Sequence, residues 1–150
     1  MLYRMTIIAE ASIPVGVGAL NGELGRMLAY LMQRCVDRQI TGALVLDSGH
    51  FLAVFEGEAE SLDHIRSRFE RLGRHSNMTV VEYAPIPRRD YHTWSVGSQS
   101  PESQPSQLIK KFQTIVPTAG EVRRQVCDLI ALGTFAETPP LVGPPRRARA

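Results

Sequence analysis

The residue types that most often carry chemistry in proteins are present in this chain, but their spacing forms no familiar catalytic or metal-binding pattern. Cys35 and Cys127 are far apart, and each falls on the apolar face of a predicted helix, so we expect two buried free thiols. His50 falls in a predicted turn and His75 in a predicted loop, where surface roles are expected. No Ser/His/Asp set or pair of carboxylates suggests a reaction centre. The sequence therefore predicts a protein that is not an enzyme and holds no metal.

A glycine-rich stretch at residues 11–22 is the one candidate for binding a phosphate through backbone N–H groups. It follows a predicted strand and contains Pro14, Gly16, Gly18 and Gly22. Its spacing matches neither the P-loop nor the dinucleotide fingerprint, and it has no basic residue. An enzyme or small-molecule sensor that uses this loop as an anion site is therefore a third and weaker alternative.

The second strand of a predicted hairpin poses a packing question. Phe51, Ala53 and Phe55 share one face because strand side chains alternate with a period of two residues. A methyl group between two phenylalanines leaves a gap beside the sheet. Either a neighbouring side chain or a ligand must fill that gap, and both possibilities stay open at this point.

Composition is typical of a cytoplasmic globular domain. The 150 residues are 43% hydrophobic and 21% charged, and a formal net charge of +2 does not indicate nucleic-acid binding. No apolar run is long enough to span a membrane, and the first residues lack the layout of a signal peptide. Residues 134–150 are rich in proline and arginine, which predicts a disordered tail.

Apolar periodicity predicts the elements that must position any site. Strands are expected at residues 2–9, on both sides of a turn at 47–50, and at 78–83 and 94–97. Helices are expected at 21–38 with Asn21 as N-cap, at 59–72 closed by Gly73, at 106–116, and at 121–132 with a capping box from Thr118 to Glu121.

The order β-α-β-β-α-β-β followed by two helices predicts an α+β fold. Its first six elements match a ferredoxin-like split βαβ sheet with two helices on one face. The second face is expected to be apolar as well, and to be covered by the C-terminal helices or by a second subunit. The residues assigned to that face are Ile8, Leu44, Leu46, Leu52 and Val54.

Residues 2–98 resemble the BLUF family, the flavin-binding blue-light sensor modules of bacteria. The resemblance assigns residues 1–98 to a BLUF-like domain, and the residue patterns after it predict a helical extension at 99–133 that packs on the sheet or at a dimer interface, and the tail at 134–150. The motifs that carry it occur in the family's order and spacing: Tyr3-Arg4-Met5, Ile40-Thr41-Gly42-Ala43-Leu44, Gly49-His50-Phe51-Leu52, Phe55-Glu56-Gly57-Glu58, Arg74-His75, Pro85-Ile86 and Trp94-Ser95-Val96-Gly97.

The resemblance implies a flavin held between the two helices, with its ring against the sheet. In the family, a tyrosine on the first strand and a glutamine on the third form a hydrogen-bond switch, and an asparagine on the first helix holds the polar edge of the ring. These three positions hold Ile7, Ala53 and Cys35 here, and a common methionine is replaced by Val96. The family-equivalent pocket positions, which we expect to be vacant, are Ile7, Cys35, Ala53, Arg68, Trp94 and Val96.

These replacements remove the groups on which the family's light response depends. Isoleucine has no redox chemistry or proton to give, and alanine can neither donate nor accept a side-chain hydrogen bond. We therefore expect a BLUF-like regulatory or interaction module that has lost the flavin photoswitch and holds no cofactor. It is expected to act through a protein partner or as a homodimer, by way of the C-terminal helices or the second face of the sheet.

Two alternatives keep a flavin. In the first, the chain is a blue-light photoreceptor that holds FAD or another flavin in a non-standard pocket, with Arg68 and Trp94 near the cofactor. In the second, Cys35 lies beside that flavin and its thiolate forms a covalent adduct, with Arg34 and Arg38 close in sequence.

Overall fold

The computed structural model of the chain describes residues 1–11, 22–72, 75–98, 106–134 and 136–140. This part contains six strands and four helices. Their bounds in chain order are β1 Leu2–Ala11, α1 Glu23–Asp37, β2 Thr41–Asp47, β3 His50–Glu58, α2 Ala59–Leu72, β4 His75–Pro85, β5 Trp94–Ser98, α3 Gln107–Phe112, α4 Ala119–Leu132 and β6 Ala136–Glu137. The predicted α+β class is confirmed.

The strands form one mixed sheet in the order β4-β1-β3-β2-β5-β6. Strand β3 lies between β1 and β2 and runs antiparallel to both, as the split βαβ plan requires. Strand β5 is parallel to β2. The first and third strands are therefore neighbours, and any site shared by them needs no further element to bring it together.

Apolar side chains cover both faces of the sheet. One face packs against α1 and α2, and its largest buried side chains include Phe51, Phe55 and Trp94. The other face packs against α3 and α4, which contribute Ile109 and Val126 among others. Each pair of helices therefore closes its own core.

The assignment of two residues to the second face is wrong. Leu44 and Leu46 lie under α1 and α2, whereas Ala43 and Val45 face α3 and α4. Because every side chain of β2 is buried, the sequence shows no polar alternation from which the direction of its side chains could be read.

The ends of the helices differ from the predicted ends at α3 and α4. Helix α3 ends at Phe112 rather than at residue 116, and the residue before Pro117 is disfavoured in a helix. Helix α4 begins at Ala119 rather than at residue 121, directly after its N-cap Thr118, and the predicted capping box between Thr118 and Glu121 is present. Helix α1 begins after Gly22 with no side-chain cap.

Strand β6 was not predicted. Ala136 pairs with Val96 on the outer edge of β5, so the expectation of disorder from residue 134 onward does not hold for this strand. Pairing along β5 supplies backbone partners that composition alone does not reveal. No helix among the described residues is long and apolar enough to cross a membrane. The predictions for Asn21, the glycines at 16 and 18, Gly73, Arg74 and residues 141–150 fall outside the described residues.

Candidate functional site

The four strands at the centre of the sheet place three of the six expected pocket positions, Ile7, Ala53 and Val96, in one row. Ile7 of β1 is opposite Ala53 of β3, which is opposite Leu44 of β2, and Leu44 is opposite Val96 of β5. The row continues to Val80 on β4 and Ala136 on β6. These six residues, which we call the apolar row, all belong to or pack against the core under α1 and α2.

Protein atoms fill the gap beside Ala53. Ala53 is 0% exposed, and Ile7 and Val96 are each 1% exposed, so scarcely any space of the size of a water molecule touches the centre of the row. The flanking rings are engaged by neighbours: Phe51 meets Phe69 edge-on at 5.9 Å between centroids, and Phe55 stacks on Trp94 at 5.1 Å. Side chains of the chain itself therefore pack on both sides of Ala53.

The remaining pocket positions lie on helices and at the start of β5. Cys35 on α1 is fully buried in the same core as Trp94, and burial raises the pKa of its thiol. A raised pKa disfavours the thiolate that an adduct would need. Arg68 on α2 is half-buried. Burial lowers the pKa of the neighbouring His64, and four arginines, Arg68 among them, lower it further.

One polar atom in this core is unpartnered. The indole Nε1 of Trp94 is buried and makes no hydrogen bond with any residue that the structure describes, although buried polar groups normally have a partner. The side chains of the apolar row offer no donor or acceptor. A planar polar ligand placed against the row would therefore meet one indole N–H there, and no carboxyl, amide or hydroxyl group from the row itself.

A buried ion pair lies on the opposite face of the sheet. Glu56 of β3 is fully buried and pairs with Arg4 of β1, its cross-strand neighbour, at 3.0 Å. The same carboxylate accepts hydrogen bonds from the backbone N–H groups of Asp90 and Tyr91, at 2.8 and 2.9 Å. Glu56 thereby fixes the loop between β4 and β5 to the sheet. The sequence did contain a signal for this pair, because one basic and one acidic residue stand among apolar neighbours on two strands that were both predicted.

A cavity of about 420 Å³ opens beside this ion pair, between the β4–β5 loop and α4. Sequence reasoning missed it because its walls come from three distant segments. Its lining residues are Arg4, Asp90, Tyr91, Gly120, Arg123, Arg124 and Cys127. The expected burial of Cys127 is wrong: this thiol is exposed, on the side of α4 that faces the cavity rather than the sheet.

Two side chains of the cavity wall interact. The hydroxyl of Tyr91 lies 3.5 Å from Sγ of Cys127. Burial raises the pKa of Tyr91, and the hydrogen bond with Cys127 raises it further. The tyrosine is therefore neutral at physiological pH and joins the loop to the helix.

Comparison with known proteins identifies related domains. Residues 9–97 match a family model described as BLUF, sensors of blue light using FAD. The chain is 27% identical over 157 residues to the photoactivated adenylate cyclase subunit beta of Euglena gracilis, covering 89% of this chain but 18% of that protein. The chain thus spans less than a fifth of the length of this curated relative.

Solved structures share the fold at low sequence identity. The photo-activated state of BlsA matches with a TM-score of 0.66 at 13% identity, over 91% of this chain and 99% of that one. The dark-state structure of BlrB, described as a BLUF protein, matches with a TM-score of 0.56 at 20% identity, over 65% of this chain and 72% of that one. The sheet and its helices therefore have the architecture of these domains.

Proposed function

The chain belongs to the BLUF family of blue-light sensors that use FAD, and from this premise we propose that it is a BLUF module that has lost the flavin photoswitch and acts through contacts with other proteins. The observation that carries the proposal is the apolar row. Where the resemblance places a tyrosine and a glutamine, Ile7 and Ala53 lie opposite each other in the register of β1 and β3. We propose that the site holds no ligand because the side chains around it fill the space.

The residues of this core do not fit a flavin ring. An isoalloxazine carries carbonyl and ring-nitrogen atoms, and each one buried without a partner costs about 1–3 kcal/mol. Two lost side-chain partners weaken binding by about two to four orders of magnitude, at about 1.4 kcal/mol per tenfold. The photochemistry is affected more directly, because neither isoleucine nor alanine can exchange an electron or a hydrogen bond with the ring.

Contact with a partner is supported by the outer surface of the C-terminal extension. Ile115 and Val116, which are adjacent between α3 and α4, are 55% and 58% exposed. Exposed apolar residues that lie near one another are typical of interaction surfaces. The Euglena relative is named as a subunit of a photoactivated adenylate cyclase, and this chain covers 18% of its length. We propose that this surface meets a protein partner or a second copy of the chain.

Absorption spectroscopy tests the lost photoswitch. The purified protein should be colourless, should take up no added FAD, and should show no spectral shift under blue light. A combined variant with Ile7→Tyr, Cys35→Asn and Ala53→Gln restores the family residues, and any FAD uptake by it alone would identify these side chains as the cause. Yellow wild-type protein with a light-induced shift would overturn the proposal.

Cross-linking and affinity capture from native extract test the partner. The double variant Ile115→Asp and Val116→Asp should lose the captured protein or the self-association. Val36→Asp, at an exposed position on α1, introduces the same kind of charge away from this surface and should retain both. Recovery of neither a partner nor a dimer by the wild-type chain would contradict this part of the proposal.

A second candidate is a flavin-binding photoreceptor with a non-standard pocket. The unpartnered Nε1 of Trp94 favours it, because a ligand acceptor would satisfy this donor. Arg68 would then be available for the phosphate or ribityl part of the flavin. This candidate predicts yellow protein whose FAD affinity falls in Trp94→Phe, so the same absorption experiment separates it from the leading proposal.

A further inference from the structure

We propose that the cavity between the β4–β5 loop and α4 binds a small molecule that carries a phosphate group. The cavity lies on the sheet face opposite the apolar row, so the inference does not depend on whether a flavin binds. Its volume of about 420 Å³ falls within the usual range for small-molecule sites, which is about 300–1,000 Å³. Three guanidinium groups and one carboxylate line it, and one of the guanidinium groups, that of Arg124, has no carboxylate partner among the described residues.

The three arginines differ in how firmly their charge is already paired. Arg4 is held by the buried Glu56 and also meets Asp90, while Arg123 pairs with Glu82 at 3.0 Å. No ion pair joins Arg124 to any other residue that the structure describes. Arg124 therefore has its donors free for a ligand, and it is the residue on which the proposal depends most.

The carboxylates around the cavity leave a place for a ligand anion. Glu56 is fully buried behind Arg4 and is not part of the lining, and neither is Glu82. Asp90 is the one acidic lining residue, and its side chain is 65% exposed. The ion pairs of Arg4 use its Nε and Nη2, and Nη1 pairs with no described residue, so a phosphate can bind there without displacing Asp90.

The donors of the cavity suit a phosphate group. A guanidinium group presents parallel N–H donors that match phosphate oxygens. Gly120 lies in the first turn of α4, where the helix dipole also favours negative charge. The cavity is larger than a single phosphate ion, and the ring of Tyr91 and the thiol of Cys127 form a less polar part of the wall. The expected ligand is therefore an organic phosphate of about nucleotide size.

A ligand at this position would connect the sheet to the C-terminal helices. Asp90 and Tyr91 are fixed to the sheet through Glu56, whereas Arg123, Arg124 and Cys127 belong to α4. A phosphate held from both sides tightens this junction. Binding is therefore expected to stabilise α4 on the sheet and to raise the unfolding temperature by mass action.

The exposed thiol of Cys127 provides a probe inside the cavity of the full chain. Iodoacetamide is uncharged, so its approach is not governed by the arginines, and the rate of alkylation at Cys127 can be followed by peptide mass spectrometry. Cys35 is fully buried and serves as the unreactive internal control. AMP should slow alkylation of Cys127 severalfold in a saturable manner, inorganic phosphate should do so at higher concentration, and adenosine should have no effect.

Two arginine variants separate the site from general electrostatics. Arg124→Ala should raise the half-saturating AMP concentration about tenfold, the loss expected for one charge-assisted contact. Arg26→Ala removes the same charge from an exposed position on α1, on the other face of the sheet, and should change nothing. Calorimetric titration of Cys127→Ser with AMP measures binding without the thiol. Absence of saturable binding in both assays, equal protection by adenosine, or equal losses in the two arginine variants would overturn the proposal.

Discussion

At the scale of the residue, Gly42 shows how one backbone position holds the central strands together. Its φ is +140°, and a Cβ placed there would lie 1.8 Å from the carbonyl oxygen of Val54 on the neighbouring strand. Glycine is thus required twice at this position, once by conformation and once by space. Gly49, in the turn between β2 and β3, also has a positive φ of +81°, but no atom would lie within 4 Å of its added Cβ.

We expect Gly42→Ala to destabilise the fold by at least about 3 kcal/mol, because strain and a backbone clash add together. Gly49→Ala carries the conformational strain alone and should cost about 1–2 kcal/mol. Urea unfolding followed by circular dichroism measures both free energies. Equal losses of unfolding free energy in the two variants would show that the close approach of Gly42 to Val54 does not affect stability.

At the scale of the element, one carboxylate fixes both C-terminal helices to the sheet. Asp47, at the end of β2, is fully buried. It accepts hydrogen bonds from Ser106, the N-cap of α3, at 2.7 Å and from Gln125 of α4 at 2.9 Å. Ser48 donates to its other oxygen at 2.9 Å. Removal of this side chain leaves three donors without their acceptor and frees both helices at once.

Asp47→Ala should lower the free energy of unfolding by about 2–4 kcal/mol, because three hydrogen bonds to a buried carboxylate are lost. Asp128→Ala removes the same carboxylate from an exposed position on α4 and should cost less than about 0.5 kcal/mol. Urea unfolding gives both values, and limited proteolysis between α3 and α4 should become faster in Asp47→Ala alone. Equal behaviour of the two variants would contradict the assigned role.

A residue in the first turn of α4, Glu121, should make the stability of the fold depend on pH in the acid range. The hydrogen bond from Lys111 and the backbone N–H of Thr118 lower the pKa of Glu121 from its ordinary 4.5. The folded state therefore binds the proton less well than the unfolded state, so Glu121 stabilises the fold above about pH 4.5 and loses that effect as the pH falls through its folded pKa.

Glu121→Gln keeps an acceptor for the capping box and removes this titration. Its melting temperature should be below that of the wild type at pH 7, and the two should converge as the pH approaches 3. Lys110→Ala, an exposed change in α3 next to the partner Lys111, should leave the acid dependence of the wild type unaltered. A constant difference between wild type and Glu121→Gln across this range would contradict the lowered pKa.

At the scale of the whole molecule, the sheet is stable only when both faces are covered. Ile8, Val45, Leu52 and Val54 are fully buried beneath α3 and α4. A fragment that ends at residue 98 would expose them as one apolar surface, which favours association. We expect light scattering to find this fragment oligomeric or aggregated. A fragment that ends at residue 140 keeps every described contact and should match the full chain, and a monomeric 1–98 fragment would contradict the prediction.

The secondary-structure elements were easier to predict from the sequence than the way in which they pair and pack. The order of elements, the α+β class and the bounds of α2 follow from apolar periodicity and glycine positions, which act between neighbours in the sequence. The face assignment of Leu44 and Leu46 failed because β2 is buried on both sides. The end of α3 could have been read from Pro117, whereas the pairing of β6 with β5 joins residues 40 positions apart and leaves no local pattern.

The sequence by itself determined that this is a BLUF-like chain with apolar residues at its pocket positions, since residue types and motif spacing are properties of the sequence. Only the tertiary structure decided that these residues meet in one row without space between them, because strand register is set by hydrogen bonds between distant segments. The same holds for Cys127 and the arginine-lined cavity. Apolar residues at helical spacing show that a helix has a buried face. Which residues lie beside the border of that face depends on how the other elements pack.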